Sequence, residues 1–278
     1  MKAGTILANH GVMPALLLLA SLLARPAQAL EFGRDVLPWS SFGHTDPGLD
    51  AQARGPELLH AGQDGLVALF DPVRHEVTAL RPGRDAVHLP VHFASDLVLL
   101  PDGMLVLDPS TRALTLWSAE GRLRSARNLP PLVPTAVTLA LAGDQVLAVD
   151  LFSQGHPVAT LAGGELQAPV LWKLQRRSDP VVWDGRALHT EGFDLELPDA
   201  LAASGQRFGD WLVVDEVVED DPIAVSRTAW HIPTRQAADL PVAGRSYAPR
   251  GDCAAAPDGS LLVLVPRPEG LELLRVTP

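Results

Sequence analysis

The chain has 278 residues, 47% hydrophobic and 20% charged, which excludes wholesale disorder, collagen and a simple coiled coil and leaves room for one large domain or two small ones. Its 33 acidic against 22 basic residues give a net charge of −11. A phosphate backbone needs Lys and Arg to displace its counterions, so nucleic acid is excluded as a partner. Lys2 and Lys173 are the only lysines, and no basic run reads as a membrane-surface patch.

In chain order, Lys2 precedes an apolar run from Val12 to Ala24, which ends before Ala27-Gln28-Ala29. The small residues at 27 and 29 fit a signal-peptidase site, and the run falls short of the ~20 residues a membrane span needs. Residues 1–29 are therefore predicted to be a cleaved signal peptide, with the mature chain starting at Leu30 in the periplasm or outside the cell. No transmembrane anchor remains after cleavage, and position 30 is not the cysteine of a bacterial lipid anchor. Cys253 is the only cysteine, so no intrachain disulfide can form and stability must come from packing. Its neighbours Ala254, Ala255 and Ala256 suit a buried small residue better than a reactive thiol.

Residues 30 to 50, with Gly33, Pro38, Gly43, Pro47 and Gly48, read as an irregular opening strand placed to pair with the last part of the chain. Beyond them a degenerate repeat sets in. Asp64-Gly65 opens the run Leu66 to Phe70, Asp71-Pro72 closes it, and Glu76 to Leu80 follows; Asp102-Gly103, Met104 to Leu107, Asp108-Pro109 and Ala113 to Trp117 repeat the scheme. Gly supplies the backbone freedom a tight turn demands and Asp bonds its own backbone there, so each unit reads as two strands around a turn. The anchoring aspartates fall at 64, 102, 144, 184, 210 and 258, with a shortened fourth interval and an expanded fifth around the acidic segment Asp215 to Asp221. Preceding stretches such as Leu97 to Leu100, and following ones such as Leu123 to Leu129, bring each unit to as many as four strands.

Four-stranded units recurring at about forty residues describe propeller blades, none of which can bury its apolar faces alone. Six of them occupy the whole mature chain. The fold predicted is all-β, a single six-bladed β-propeller of four-stranded antiparallel blades over residues 30–278, with blade turns near 64, 102, 144, 184, 210 and 258. Leu195 to Ser204 is the one segment that could turn helical.

Arg54-Gly55-Pro56-Glu57-Leu58-Leu59 followed by Asp64-Gly65, an apolar run and Asp71 resembles the repeats of NHL and related TolB-like six-bladed propellers, over about residues 54 to 276. In this group, calcium-dependent lactonases of the gluconolactonase type hold an axial metal with acidic and amide ligands. The resemblance places Asp252 near one such ligand. It also meets two departures: Arg54 stands where those enzymes have a Glu before Gly-Pro, and Asn128 is the only asparagine after residue 29.

Acids at 215–221 raise a calcium reading, since hard cations take several oxygen ligands, but the run lacks glycine-punctuated spacing. A solvated loop, or an acidic contact surface for a basic partner, fits it as well. His88 and His92, four apart, would share one face of an extended strand as a zinc pair, though no third ligand is apparent. There is no HExxH motif, no G-x-S-x-G elbow around Ser40-Ser41 and no phosphate-binding loop. The six tryptophans at 39, 117, 172, 183, 211 and 230 read as packing between blades.

Propeller sites gather polar residues from several blades at one channel mouth. The residues just before the inner strands are Arg54, Glu57, His92, Asp96, Asp179, Arg250 and Asp252. The function expected is an exported, monomeric, noncatalytic module without a cofactor that binds a protein partner or an extracellular ligand. The alternative is a metal-dependent, lactonase-type hydrolase with an axial cation.

Overall fold

The computed structural model of the chain describes residues 30–38, 42, 55–130, 136–150, 154–169, 175–176, 181–220, 223–242, 251–268 and 270–278. Residues 1–29, the expected signal peptide, lie outside them.

The apolar runs form strands in six antiparallel sheets. After β1 (Glu31–Pro38), blade one is β2 (Glu57–Ala61), β3 (Val67–Asp71), β4 (Glu76–Leu80) and β5 (Val87–Pro90). Blade two is β6 (Asp96–Leu100), β7 (Gly103–Asp108), β8 (Ala113–Ser118) and β9 (Leu123–Asn128). Blade three is β10 (Ala136–Ala142), β11 (Gln145–Asp150), β12 (Gln154–Ala162) and β13 (Glu165–Gln167), with β14 (Gln175–Arg176) also paired to β12. Blade four is β15 (Val182–Trp183), β16 (Ala187–Thr190) and β17 (Phe193–Glu196). Blade five is β18 (Ala202–Phe208), β19 (Trp211–Asp220), β20 (Ile223–His231) and β21 (Gln236–Asp239). Blade six is β22 (Cys253–Ala255), β23 (Leu261–Arg267) and β24 (Gly270–Thr277), completed by β1. First strands of neighbouring blades touch, β2 beside β22 and β6, β6 beside β10, and β18 beside β15 and β22, so they line the axis.

Local chemistry explains the repeat. Asp64 and Gly65, at φ 56° and 69°, make the left-handed turn from β2 to β3. Asp71 ends β3 fully buried, and its Oδ1 accepts the N–H groups of Val73 and Arg74, each at 3.0 Å. Asp108 does the same for Ser110 and Thr111 at 2.9 and 3.2 Å. Pro72 and Pro109, with φ preset and no N–H to satisfy, complete these turns.

The second strands read as continuous apolar runs because both of their faces are buried. In β7, Met104 and Val106 join a core shared with blade one, while Leu105 and Leu107 join the next, shared with blade three. Similar cores lie between blades four and five, five and six, and six and one. Each fully buried leucine contributes about 1.5–3 kcal/mol. Trp117 and Trp211 are buried in two of these cores and Trp183 and Trp230 line a third; Trp39 and Trp172 lie outside the described residues. Cys253 is buried and free.

The opening strand runs antiparallel to β24 over its whole length, from Glu31↔Thr277 to Pro38↔Gly270, and so joins the two ends of the chain. A Cβ on Gly270 would lie 2.4 Å from the Leu37 carbonyl oxygen, so only glycine permits this approach.

Three expectations need correction. Leu195 to Ser204 is not helical: Leu195 and Leu197 are buried at strand period against blade five, residues 197–201 connect β17 to the next blade, and β18 begins at Ala202. Among the described residues blade four has three strands rather than four, because that short connection leads directly from β17 to the next blade. The acidic segment is no loop through Asp220: it is the second half of β19, held by β20 through pairs such as Asp215↔Arg227 and Val217↔Val225, where β-branched residues favour extended backbone. Asp221 lies outside the described residues.

Candidate functional site

Antiparallel order brings the starts of the inner strands, the ends of the second strands and the starts of the third to one end of the molecule. Glu57, Asp96 and Asp252 all stand there, at or just before β2, β6 and β22. Arg54, Asp179 and Arg250 lie outside the described residues.

The three described carboxylates and His92 do not form one pocket but several local groups. Asp96, buried, ties three blades together: Oδ1 accepts the Leu97 N–H at 2.9 Å and lies 3.1 Å from His60 Nε2 of β2, and Oδ2 accepts the Leu139 N–H of β10 at 2.6 Å. His92 is placed elsewhere. Its ring stacks on that of His75, centroids 4.7 Å apart, and its carbonyl oxygen lies 3.0 Å from His75 Nδ1. His88 instead approaches Glu76 Oε1 at 2.9 Å; β5 ends at Pro90, so His88 and His92 do not share a strand face. Glu57 opens β2 half-buried, next to Leu58, a non-glycine residue at φ 56°. That left-handed residue marks a bulge against β3. It packs on Gly251, itself at φ 56°, and Leu59 N–H bonds the Gly251 carbonyl at 2.7 Å.

Asp252 belongs to the densest charged group. Arg227 of β20 clasps it with both terminal nitrogens, Nη2 donating to Oδ1 at 2.9 Å and Nη1 to Oδ2. Asp215 Oδ1 lies 3.3 Å from Arg227 Nε. The Cys253 sulfur is 3.7 Å from Nη2. Burial opposes the charge on Arg227, but the Asp252 hydrogen bond and the surrounding negative charge outweigh it and hold the guanidinium protonated. Burial pushes the Asp215 carboxyl up, Arg227 only partly offsets this, and the Asp252 charge adds to it. Burial likewise pushes the Cys253 thiol well above its ordinary range, which disfavours the thiolate.

Sequence reasoning missed His60 and Arg227. Nothing in the sequence singles out His60. Arg227 had only a partial signal: a hairpin read around Asp221-Pro222 in the sequence would set residue 227 opposite Glu216, and it is the register shift between Val217 and Glu219 that brings it opposite Asp215. A second His–Asp pair, His156 Nε2 to Asp150 Oδ2 at 2.8 Å, also escaped notice. At the opposite, Asp-Gly end, a cavity of about 300 Å³ lies between blades one and six, lined by Asp64, Leu66, Asp258 and Arg275 among others. Among the described residues, no three His, Cys, Asp or Glu side chains are grouped to hold a metal ion, and no helix is long and apolar enough to cross a membrane.

Six antiparallel sheets, with their first strands at the axis and β1 joined to β24 in one blade, define a six-bladed β-propeller. Comparison with a solved structure supports the fold. A streptogramin B lyase matches with a TM-score of 0.50 at 8% identity, over 91% of this chain and 100% of that one. Virginiamycin B lyase from Staphylococcus aureus gives 0.47 at 7%, over 88% and 99%. BamB from Moraxella catarrhalis gives 0.30 at 11%, over 87% and 74%. At these identities the likeness is one of fold alone. No protein-family model and no curated protein matches the sequence.

Proposed function

We propose that this propeller is an exported, noncatalytic binding module of the cell envelope or the extracellular space, and that the long hairpin of blade five is its contact surface for a basic protein partner. The hairpin is the observation that carries the reading. β19 and β20 have 10 and 9 residues, against 5 and 5 for the corresponding strands of blade one. β18 accompanies β19 only to Val217, and β21 accompanies β20 only as far as Thr228, so the tip is a two-stranded ribbon. Such a ribbon is marginal in water by itself. Here it exposes Val218 and Val225, 41% and 42% accessible, beside the acids Glu216 and Glu219. Apolar anchors rimmed by one sign of charge suit a partner carrying the opposite sign.

The arrangement at Asp252 favours binding over hydrolysis. A cation on the axis would have to compete with Arg227 for both carboxylate oxygens, and the Asp96 oxygens already have three partners. The test is charge reversal. Glu216→Lys with Glu219→Lys in the chain starting at Leu30 is expected to abolish retention of the envelope partner at low salt and to leave the melting temperature unchanged. Unchanged retention would remove the hairpin from the account. Calcium-dependent turnover of a lactone or ester panel that disappears in Asp252→Asn would replace it with the hydrolase.

A further inference from the structure

Blade four ends early, and among the described residues the outer edge of its last strand has no neighbour. The sheet order is β15-β16-β17, whereas blades one, two, five and six each add a fourth, outer strand. Residues 197–201 carry the chain straight from β17 to β18 without forming a fourth strand for this blade. Among the described residues nothing pairs with the outer edge of β17. Leu197 N–H bonds the Arg186 carbonyl at 2.9 Å. Antiparallel alternation then turns the main-chain groups of Phe193 and Leu195 toward β16 and those of Asp194 and Glu196 toward the open edge. A row of unpaired N–H and C=O groups is a template for another strand.

We infer that the outer edge of blade four is a docking site for an extended segment of a partner protein with basic residues at alternate positions, added as a fourth strand beside β17. The side chains identify this occupant. Phe193 and Leu195 are buried against blade five, while Asp194 and Glu196 are exposed. Asp184 and Asp194 flank His189 at 3.1 and 2.8 Å, and Glu196 meets Arg186 only at 3.8 Å, so carboxylates outnumber fixed positive charges on this face. A second copy of the chain pairing edge to edge would bring acids against acids, and like charges on facing strands repel. A strand alternating Lys or Arg with apolar residues sets its cations beside Asp194 and Glu196 and extends the apolar layer of Phe193 and Leu195. This site is separate from the blade-five hairpin, and either can fail without the other.

Residue-resolved amide exchange on the chain from Leu30, with and without a synthetic peptide of alternating lysine and valine, tests the inference. The Asp194 and Glu196 amides are expected to slow about tenfold or more, and those of Phe193 and Leu195 to change little. A peptide of the same composition with its lysines and valines in separate blocks is expected to do nothing. Glu196→Pro removes one outward N–H and leaves the Leu197 bond to β16, so it is expected to lose the protection. Asp194→Lys with Glu196→Lys keeps every N–H and is expected to lose the lysine–valine peptide and accept one of alternating glutamate and valine. The inference is overturned if the two amides are already protected in the chain alone, if the block peptide protects them equally, or if the alternating peptide leaves them unchanged.

Discussion

In blade one the aspartate that ends the second strand, Asp71, is fully buried and holds the turn that follows; its counterpart in blade five, Asp215, ends nothing, because β19 runs on to Asp220 and the carboxylate meets Arg227 across the hairpin. Blade two repeats the first arrangement with Asp108, and its outer strand β9 completes the sheet. Blade four lacks that outer strand. Blades one and two therefore use the aspartate that ends the second strand internally, as turn chemistry, and their sheets carry a fourth strand. Blade five turns the corresponding aspartate toward Arg227, and blade four, among the described residues, leaves the edge of β17 with Asp194 and Glu196 exposed. In a repeat fold the units must share packing but not polar surface, so the places where the repeat breaks are where binding surfaces can arise.

The largest test of this contrast is glycine replacement. A Cβ on Gly103 in blade two would lie 1.9 Å from the Trp117 carbonyl oxygen, so Gly103→Ala is expected to cost about 4 kcal/mol or more in denaturant melts. Gly185 of blade four has nothing within 4 Å, and Gly185→Ala is expected to cost only the strain of its positive φ, about 1 kcal/mol. Next comes Arg227→Ala, which strands Asp252 without its clasp and is expected to destabilise by about 3 kcal/mol. The melting temperature should then fall by roughly 6–12 °C. Pairing Arg227→Met with Asp252→Leu should recover most of the loss. Smaller again is the aspartate comparison itself. Asp71→Ala is expected to cost about 2 kcal/mol, since it leaves two N–H groups of the turn unbonded, whereas Asp215→Ala should cost less than half as much because burial already disfavours its charge.

The smallest effect is a pH dependence confined to blade four. Hydrogen bonds to Asp194 and then Asp184 raise His189 above its ordinary 6.5, so its contribution is complete below that value and is lost as pH rises through the raised one. Backbone bonds from Ala187, the His189 hydrogen bond and the Arg186 N–H lower Asp184 from 3.8 to about 2, so its contribution is present above 3.8 and is lost as pH falls toward 2. Amide protection in β16 and β17 should therefore be highest between these limits, and His189→Gln should flatten the profile at its upper end.

Much of the fold was legible in the sequence because turn chemistry and two-sided burial are local signals: Asp-Gly pairs, Asp-Pro pairs and unbroken Leu and Val runs each have one simple structural solution. The shortened fourth unit was visible in the spacing of Asp184 and Asp210. The site was less legible. Position before an inner strand picked out Asp96 and Asp252 but not their partners, since His60, Leu139 and Arg227 come from other blades and are set by ring geometry rather than by sequence distance. The charge run at 215–221 concealed a strand because its acids pair across a hairpin instead of coordinating around a loop.

The most direct test of blade five as the contact surface is site-specific photocrosslinking in envelope preparations, with the reactive group placed at Val218 and, for comparison, at the still more exposed Leu123 of regular blade two. The account predicts a discrete adduct from position 218 that disappears when Glu216 and Glu219 are reversed to lysine, and none from position 123. Equal labelling from both positions, or an adduct at 218 indifferent to those charges, would contradict it.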